Sequence, residues 1–229
     1  MPRVPLLPMT PVQQLRAGRL PRRLTQLVLG LVLFGVTMGL ILRAGLGLEP
    51  WGVLTYGLTL HLPLSYGAMV VASSFVILLF WVPLRQWPGL GTIANAVLVG
   101  VATDLTLAVV PDIEGLGWQV PVLIVGVVGN GVAASLYIGS QLGPGPRDGL
   151  MTGLHQRTGW SIRLVRTSLE VAVVAVGWLL GGVVGVGTVL YALLIGPVLQ
   201  VVLPRVTVEL DPPGPTRRSA AEVSCPPTP

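Results

Sequence analysis

The sequence has no lysine, a single cysteine and few charged residues of either sign. Charged residues make up 10% of its 229 positions, whereas a soluble domain carries roughly 25%. A Gly-rich phosphate loop of the P-loop type needs a lysine, so that class of nucleotide site is excluded. The single Cys225 excludes an intrachain disulfide, a cysteine-ligated iron–sulfur cluster and a cysteine zinc site.

Metal-binding and catalytic motifs are missing as well. His61 and His155 are far apart and have no metal-ligand spacing, so neither a metal nor a cofactor is predicted. Neither a Gly-x-Ser-x-Gly elbow nor a His-Glu-x-x-His motif occurs in the sequence. The chain is therefore not expected to be an enzyme.

Apolar residues are abundant. Hydrophobic residues make up 52% of the chain, and the mean hydropathy is +0.79. These values predict a polytopic membrane protein surrounded by the lipid bilayer. The pI of about 10.3 does not indicate a nucleic-acid partner, because the arginines flank apolar segments and form no basic face interleaved with aromatic residues.

The chain repeats itself at an offset of 96 residues. The pattern Leu-Gly-x-x-Pro-x-x-x-Leu-x-x-Gly-Leu begins at Leu46 and again at Leu142, and the pattern Gly-x-Gly-Thr begins at Gly89 and again at Gly185. A register that is kept without a gap predicts two copies of one membrane unit. Internal repeats of this kind are typical of transporter architectures.

The predicted fold class is an all-α polytopic membrane protein. A helix needs about 20 apolar residues to cross a bilayer core. Two shorter segments, 50–61 and 147–158, each follow a Gly/Pro turn and are predicted to be re-entrant or interfacial helices. Six segments are long enough to span, namely 24–42, 66–84, 90–110, 120–140, 161–181 and 187–203.

The segments predict one membrane domain, residues 24–203, between a cytoplasmic N-terminal segment, 1–23, and a disordered, Pro-rich cytoplasmic tail, 204–229. Six spans place almost all arginines on the side of the N-terminus, which the positive-inside bias makes cytoplasmic. Repeat 24–110 and repeat 120–203 have three spans each, so the second copy enters the membrane from the opposite side. An inverted 3+3 repeat is therefore predicted.

Ionisable residues inside apolar segments are the candidate site residues, because burying a charge in a bilayer costs about 2.5–3.5 kcal/mol. Arg166 and Glu170 are four positions apart in the fifth predicted span and can pair on one helix face, with Arg163 and Thr167 on the same stripe. The stripe is expected to face protein or a water-filled cavity rather than lipid. It is either the charged wall of a solute path or a structural ion pair.

Four further polar residues are candidates. Asn95 and Asp104, in the third span, are nine positions apart and point to opposite faces, so they are not expected to share one narrow site. Arg147 and Asp148 open the second short helix, where free N–H groups favour an anion. Asp148 is alternatively the cap of that helix. Asn130 is expected to make a hydrogen bond between helices.

Several motifs together resemble the YitT/YczE family of bacterial membrane proteins. They are RAGLGLEPWGVL at residues 43–54, GT at 91–92 followed by Asn95 and Asp104, GPGPRDGLM at 143–151 and GVGT at 185–188. The resemblance covers about residues 22–204 and implies a bacterial plasma-membrane protein. The family pattern has an aspartate after Pro-Trp in the first half, where this chain has Gly52. The resemblance therefore implies that the first half has lost the carboxylate that Asp148 supplies in the second, and Glu49, before Pro50, is not expected to replace it.

The function predicted from these features is a small transporter or permease with a solute site between the two repeats. The residues expected to line or gate that site are Glu170, Arg166, Arg147, Asp148, Asn95 and Asp104. The alternative is a non-transporting accessory or regulatory subunit, in which glycine-rich helix faces and arginine-rich loops dock a homodimer or another membrane protein.

Overall fold

The computed structural model describes residues 9–210. Within that range the chain is helical and contains no strand, as predicted. The predicted disordered tail, 204–229, is wrong at its start, because residues 204–206 belong to the last described helix and the N–H of Val208 donates to the carbonyl oxygen of Gly139 at 3.0 Å. The part of the tail from residue 211 onward lies outside the described residues. The segment ahead of the first span contains a short helix, α1 (Pro11–Arg16), which is capped by Thr10.

The helices after α1 agree with the predicted segments to within a few residues at each end, and the two short segments are helices as well. They are α2 (Leu20–Ala44), α3 (Pro50–Thr59), α4 (Tyr66–Leu84), α5 (Leu90–Val109), α6 (Leu116–Gly139), α7 (Pro146–Thr158), α8 (Ile162–Leu179) and α9 (Val186–Val206).

Five of these helices, α2, α4, α5, α6 and α9, are long and apolar enough to cross a membrane. The helix α8 is not among the five. Its 18 residues include the ionisable Arg163, Arg166 and Glu170. The sixth span therefore stays a prediction, whereas a membrane protein with several apolar helices is what the structure describes.

The repeated Gly-x-Gly-Thr pattern has the same local structure in both halves. Thr92 and Thr188 reach back with their hydroxyl oxygens to accept the N–H groups of Gly89 and Gly185, each at 3.2 Å. Gly89 and Gly185 are the N-caps of α5 and α9. The pattern is thus a helix start, in which the threonine satisfies one of the free N–H groups of the first turn.

Each of these helix starts holds the glycine-rich loop of the other half. The N–H of Gly91 donates to the carbonyl oxygen of Leu142, and the N–H of Gly187 donates to that of Leu46, both at 2.8 Å. The two bonds join positions that are exchanged by the offset of 96. The loop before each short helix is therefore fixed across the boundary between the halves.

The short helices also pack across the boundary between the halves. Helix α3 of the first half packs mainly on α8 of the second half, and α7 of the second half packs mainly on α4 of the first half. A Cβ on Gly177 of α8 would lie 2.4 Å from the backbone nitrogen of Leu54, so the two backbones touch. In the other half a Cβ on Gly149 would lie 2.0 Å from the ring of Trp81, whose Nε1–H donates to the carbonyl oxygen of Pro146 at 3.0 Å.

The centre of the bundle is the packing of α2 against α6, with α5 beside α2 and α9 beside α6. A Cβ on Gly35 would lie 2.5 Å from the carbonyl oxygen of Val99 in α5. The spacing Gly35-x-x-x-Gly39 thus serves packing inside the bundle, where close backbone approach substitutes for a hydrophobic drive.

The two halves differ in how their outer helices meet. Helix α4 lies along α5, and a Cβ on Gly67 would be only 2.1 Å from the carbonyl oxygen of Gly100. Helices α8 and α9 make few close contacts. The equivalents of Gly67 and Gly100 are Arg163 and Gly196, and no atom of the described chain lies within 4 Å of a Cβ on Gly196.

Arg23 is an exception among the arginines that are predicted to lie free on the cytoplasmic side. It is fully buried at the start of α2. Its guanidinium donates to the carbonyl oxygens of Ser140 at 2.8 Å, Gln141 at 2.7 Å and Gln14 at 2.5 Å. These bonds compensate the burial of the charge and tie the N-terminal segment to the loop after α6.

Candidate functional site

A cavity of about 200 Å³ lies between the two halves of the chain. Helices α3 and α7 contribute their N-terminal turns, and α2, α4, α5, α6, α8 and α9 complete the wall. The side chains with polar atoms in this wall include Glu49, Trp51, Asn95, Tyr137, Arg147, Asp148, Arg166, Glu170 and Tyr191.

Equivalent positions of the two halves line the cavity from both sides, while their residue types differ. The offset of 96 relates Glu49 to Gly145, Trp51 to Arg147, Ser74 to Glu170, and Asn95 to Tyr191, all in the wall. The position of the cavity is therefore symmetric with respect to the repeat, and its chemistry is not.

Arg166 and Glu170 form the predicted ion pair, with 2.8 Å between Nε and Oε1. Both line the cavity, and their side chains are 45% and 28% exposed. Arg163 and Thr167 are exposed and do not belong to the wall. The prediction that the whole stripe faces protein or a cavity is therefore wrong for these two residues, because only the inner edge of α8 meets α3 and α7.

Asp148 lies in the first turn of α7 and accepts a hydrogen bond from the Tyr137 hydroxyl. The N-cap residue of that helix is Gly145, so the prediction of Asp148 as the cap is wrong. A carboxylate in the first turn is favoured by the free N–H groups there. Burial raises the pKa of Asp148, and the hydrogen bond from Tyr137 opposes that rise.

Arg147 stacks on the other half of the protein. Its guanidinium carbon lies 5.2 Å from the centre of the Trp51 ring, a cation–π contact. Since Trp51 is the repeat equivalent of Arg147, the two short helices meet here at equivalent positions. The Trp51 Nε1–H is buried and has no hydrogen-bond acceptor among the described residues.

Glu49 is the main correction to the predicted site. It is 4% exposed, it lines the cavity, and neither of its carboxyl oxygens accepts a hydrogen bond from the described part of the chain. A Cβ on Gly52 would lie 2.7 Å from the Glu49 carboxyl group. The carboxyl group thus occupies the space beside position 52, and the first half has kept a carboxylate in the cavity by a different route.

The two carboxylates are arranged reciprocally. In the second half the carboxylate comes from Asp148 and the glycine is Gly145, whose Cβ would lie 3.1 Å from the Asp148 Oδ2. In the first half the carboxylate comes from Glu49 and the glycine is Gly52. Each short helix therefore brings one carboxyl group to its N-terminus, with the roles of the two positions exchanged.

Glu49 lies in the loop between α2 and α3, outside the five apolar helices. Burial raises its pKa from the ordinary 4.5 to about 7, against the opposing effect of the Arg147 charge. Desolvation disfavours the carboxylate, the backbone N–H of Glu49 opposes this effect only in part, and no other described residue donates a hydrogen bond to the carboxyl group. Near neutral pH this group is consequently divided between its protonated and ionised forms.

Asn95 lines the cavity, whereas Asp104 does not. The Asp104 carboxylate accepts the backbone N–H of Gly67 at 2.7 Å and the hydroxyl of Ser65 at 2.5 Å. Asp104 thus fastens the start of α4 to α5, and its predicted place in the solute site is wrong. The expectation that Asn95 and Asp104 point to different places is confirmed.

Asp104→Asn is expected to lower the free energy of unfolding by roughly 1–2 kcal/mol, because hydrogen bonds to a charged acceptor are worth about 1.5–3 kcal/mol. Thermal unfolding of the purified protein in detergent measures the loss. Asp112→Asn is the matched control, since the Asp112 side chain is 82% exposed and pairs only with Arg43 within residues 9–210. Equal stability of the two variants would contradict the fastening role of Asp104.

Asn130 makes the expected hydrogen bonds between helices. Its Nδ2 donates to the Thr37 hydroxyl of α2 at 3.0 Å, and its Oδ1 accepts the Tyr191 hydroxyl of α9 at 2.9 Å. Tyr191 also lines the cavity. Asn130 therefore holds one wall residue in place from behind.

Five wall residues with polar side chains are not among the site residues predicted from sequence, namely Glu49, Trp51, Ser74, Tyr137 and Tyr191. A signal existed for the last of them, because the repeat offset places Tyr191 opposite the candidate Asn95. The same offset places Trp51 opposite Arg147. Applying the offset to every candidate residue recovers three of these five wall positions, Trp51, Ser74 and Tyr191, from sequence alone.

Comparisons with known proteins agree on one family. Residues 21–204 match the model of DUF6198, a family of unknown function. The chain is 33% identical over 195 residues to the uncharacterised membrane protein YczE of Bacillus subtilis, which covers 85% of this chain and 90% of that protein. It is 39% identical over 174 residues to an uncharacterised protein of Haemophilus influenzae, covering 76% and 80% of the two chains. No solved structure matches the chain.

The protein belongs to the DUF6198 family, and the predicted resemblance to YczE-type membrane proteins is confirmed.

Proposed function

We propose that this member of the family is a carrier of a small polar solute, and not an enzyme, with its binding site in the cavity between two inverted repeats of three spans each. The observation that carries the proposal is the cavity itself. Equivalent positions of both halves line it, and it contains five of the six residues predicted from sequence. A site between repeats is the usual arrangement in secondary transporters.

The inverted repeat is supported by the exchange of contacts between the halves. Hydrogen bonds join Gly91 to Leu142 and Gly187 to Leu46, so each half binds the glycine-rich loop of the other half through the equivalent contact. Such reciprocity is what a pseudo-twofold axis produces. With three spans in each half, that axis lies in the membrane plane, and both termini are cytoplasmic.

The proposal requires α8 to be the sixth span despite its charges. Two of its ionisable residues, Arg166 and Glu170, neutralise each other and face the cavity, which makes a charged pair tolerable inside a bilayer. The third, Arg163, lies in the first turn of the helix, where a long side chain reaches the membrane surface. The remaining residues of α8 carry no charge.

The different packing of the outer helices supports movement of one half against the other. Helices α4 and α5 are fastened by Asp104, whereas α8 and α9 lie apart. Rocking of one repeat against the other opens a central site alternately to the two sides. In this proposal α8 is the moving element, and the solute enters beside its Arg166–Glu170 edge.

Binding by the purified protein tests the proposal. A panel of amino acids, organic anions, other metabolites and inorganic ions is screened by thermal shift, and a compound at about 100 times its Kd stabilises the fold by about 2.7 kcal/mol. Glu170→Gln and Asp148→Asn are expected to abolish the shift, and Asp112→Asn, outside the cavity, is expected to keep it. A compound that passes is then tested for flux into proteoliposomes.

The screen also distinguishes the alternative. If no compound shifts the unfolding temperature, or if the shifts survive both cavity variants, the carrier proposal is contradicted. Co-purification of a membrane partner with wild type and both variants alike would then favour the accessory-subunit function.

A further inference from the structure

Most charged groups of the cavity already have a partner within the protein. Arg166 pairs with Glu170, and Asp148 accepts the hydroxyl of Tyr137. Glu49 accepts no hydrogen bond from the described residues. The paired groups Arg166, Glu170 and Asp148 stabilise the cavity wall, whereas the carboxyl group of Glu49 is available to bind a ligand.

The carboxyl group of Glu49 has unused acceptor capacity. A buried carboxyl group ordinarily has hydrogen-bond partners, because burial without them is costly. Glu49 precedes the first residue of α3, yet its side chain does not cap that helix. Its position in the cavity wall, without a structural partner, fits a ligand group that donates hydrogen bonds and carries positive charge.

Unused donors lie on the facing helix start. The guanidinium of Arg147 stacks on Trp51 and makes no ion pair within 4.0 Å and no hydrogen bond among residues 9–210. The Nε1–H of Trp51 is buried and has no acceptor within the part of the chain that the structure describes. A guanidinium beside an indole N–H is suited to a ligand carboxylate, which accepts several hydrogen bonds at once.

Given the carrier function proposed above, we propose that the solute is a small zwitterion of the neutral amino acid class, whose primary ammonium group binds Glu49 and whose carboxylate binds Arg147 and the Trp51 Nε1–H. A simple cation leaves Arg147 and Trp51 without an acceptor. A simple anion leaves Glu49 without a donor. A dipolar molecule satisfies both and adds no net charge to the cavity.

The volume and the remaining polar group agree with this class. A cavity of about 200 Å³ is below the 300–1,000 Å³ that is usual for drug-sized ligands, which favours a molecule of few heavy atoms. Asn95 lies in the same wall and makes no side-chain hydrogen bond with the described residues. Its amide adds an NH2 group, which donates, and a carbonyl oxygen, which accepts, for orienting the ligand.

The proposal has a pH signature. Because the pKa of Glu49 is about 7, a proton competes with the ammonium group at pH 6, and the ionised carboxylate binds it at pH 8. Zwitterion affinity is therefore expected to rise through neutral pH. The titratable or charged groups around Glu49 are Arg147 and Asp148 on α7, Tyr66 on α4, Tyr137 on α6, Tyr191 on α9, and Arg166 and Glu170 on α8.

Isothermal titration of the full-length, detergent-purified protein tests the ligand class with glycine, L-alanine and L-valine as probes. For L-alanine the matched fragments are ethylamine, which lacks the carboxylate, and propionate, which lacks the ammonium group. At pH 8 at least one zwitterion is expected to bind at least 10-fold more tightly than its fragments. Glu49→Gln and Arg147→Gln are each expected to weaken that binding at least 10-fold, while Asp112→Asn leaves it unchanged.

A rescue variant separates a binding role from a folding role. The double variant Glu49→Gly with Gly52→Asp gives the first half the arrangement of Gly145 and Asp148 in the second, so the carboxyl group returns to the cavity from the other position. It is expected to restore zwitterion binding at pH 8. Glu49→Gln is expected to lose the rise of zwitterion affinity between pH 6 and pH 8.

Equal binding of a zwitterion and one of its fragments, binding that survives Glu49→Gln, or no binding of any zwitterion would overturn the inference. If another class of solute binds and is lost in Glu170→Gln and Asp148→Asn, the carrier function stands while the ligand class is wrong. If nothing in the wider panel binds, both fail.

Discussion

Gly100→Ala is expected to lower the free energy of unfolding by about 2–3 kcal/mol, whereas Gly196→Ala, the same change at the equivalent position, is expected to leave it unchanged or raised by up to about 1 kcal/mol. The Cβ on Gly100 would lie 2.4 Å from the carbonyl oxygen of Gly67 and 2.6 Å from a methyl group of Val71. The first contact is with backbone, so the helices α4 and α5 must separate, and overpacking typically costs 1–3 kcal/mol. At Gly196 the methyl group meets no atom within 4 Å in the described chain, and alanine is the better helix former.

Thermal unfolding of the two variants in the same detergent measures this difference. Both substitutions are identical in chemistry and lie in equivalent helices, so effects on the unfolded chain and on helix propensity cancel between them. The difference then reports the packing of α4 on α5 against that of α8 on α9. Equal unfolding temperatures would mean that the two pairs of helices pack alike, and would remove the support for α8 as the moving element.

Glu49→Gln is expected to stabilise the protein by about 3 kcal/mol at pH 8 and to have little effect at pH 4.5. The pKa of this carboxyl group rises from 4.5 to about 7 on folding. The folded state therefore holds the proton more tightly than the unfolded state, and stability falls as the pH rises between these two values. Above about pH 7 the full cost of the buried charge is present, and 1.36 kcal/mol per pH unit gives its size. Glutamine has the same shape and no charge, so it avoids that cost.

Unfolding temperatures of wild type and variant, measured between pH 4.5 and pH 8.5, give the comparison. The two curves are expected to meet at low pH and to separate steadily up to about pH 7. Asp112→Asn, at an exposed carboxylate, is the control whose curve should run parallel to that of wild type. Parallel curves for Glu49→Gln would show that its carboxyl group is solvated or paired in solution.

Together, the two predictions distinguish stability from function. Gly100 supports packing and makes no contribution to the cavity wall, whereas Glu49 lines the cavity at a cost to stability. A residue that is kept in a destabilising environment without a structural partner is typical of a functional site. The expected gain in stability on losing Glu49, accompanied by loss of binding, is the pattern of that trade-off.

The helices could be predicted because their signals are local. Apolar runs, the Gly/Pro turns before Pro50 and Pro146, and the Gly-x-Gly-Thr starts at Gly89 and Gly185 act through backbone geometry within one turn. The pairing of Arg166 with Glu170 is also local, since four positions make one helix turn. The repeat offset further indicates which positions of the two halves have the same local structure.

The sequence predicts the cavity residues less well, because these residues are far apart in the sequence and come into contact only in the folded chain. The position of Glu49 before Pro50 predicts no place for it in the site, yet the glycine at position 52 leaves room for its carboxyl group beside the helix start. A carboxylate in an apolar span suggests function, and for that reason the sequence predicts Asp104 in the site. The N–H group of Gly67, thirty-seven positions away, gives it a structural task instead.

The sequence by itself determined the membrane environment, the helix boundaries and the twofold repeat, because hydropathy, turn chemistry and a fixed offset are properties of neighbouring or matched positions. Only the tertiary structure decided which polar residues meet. The exchange of short helices brings Arg147 onto Trp51 and encloses Glu49, while α8 stands away from α9. The physical reason is that the fate of a buried charge depends on the atoms around it, and those atoms come from the other half of the chain.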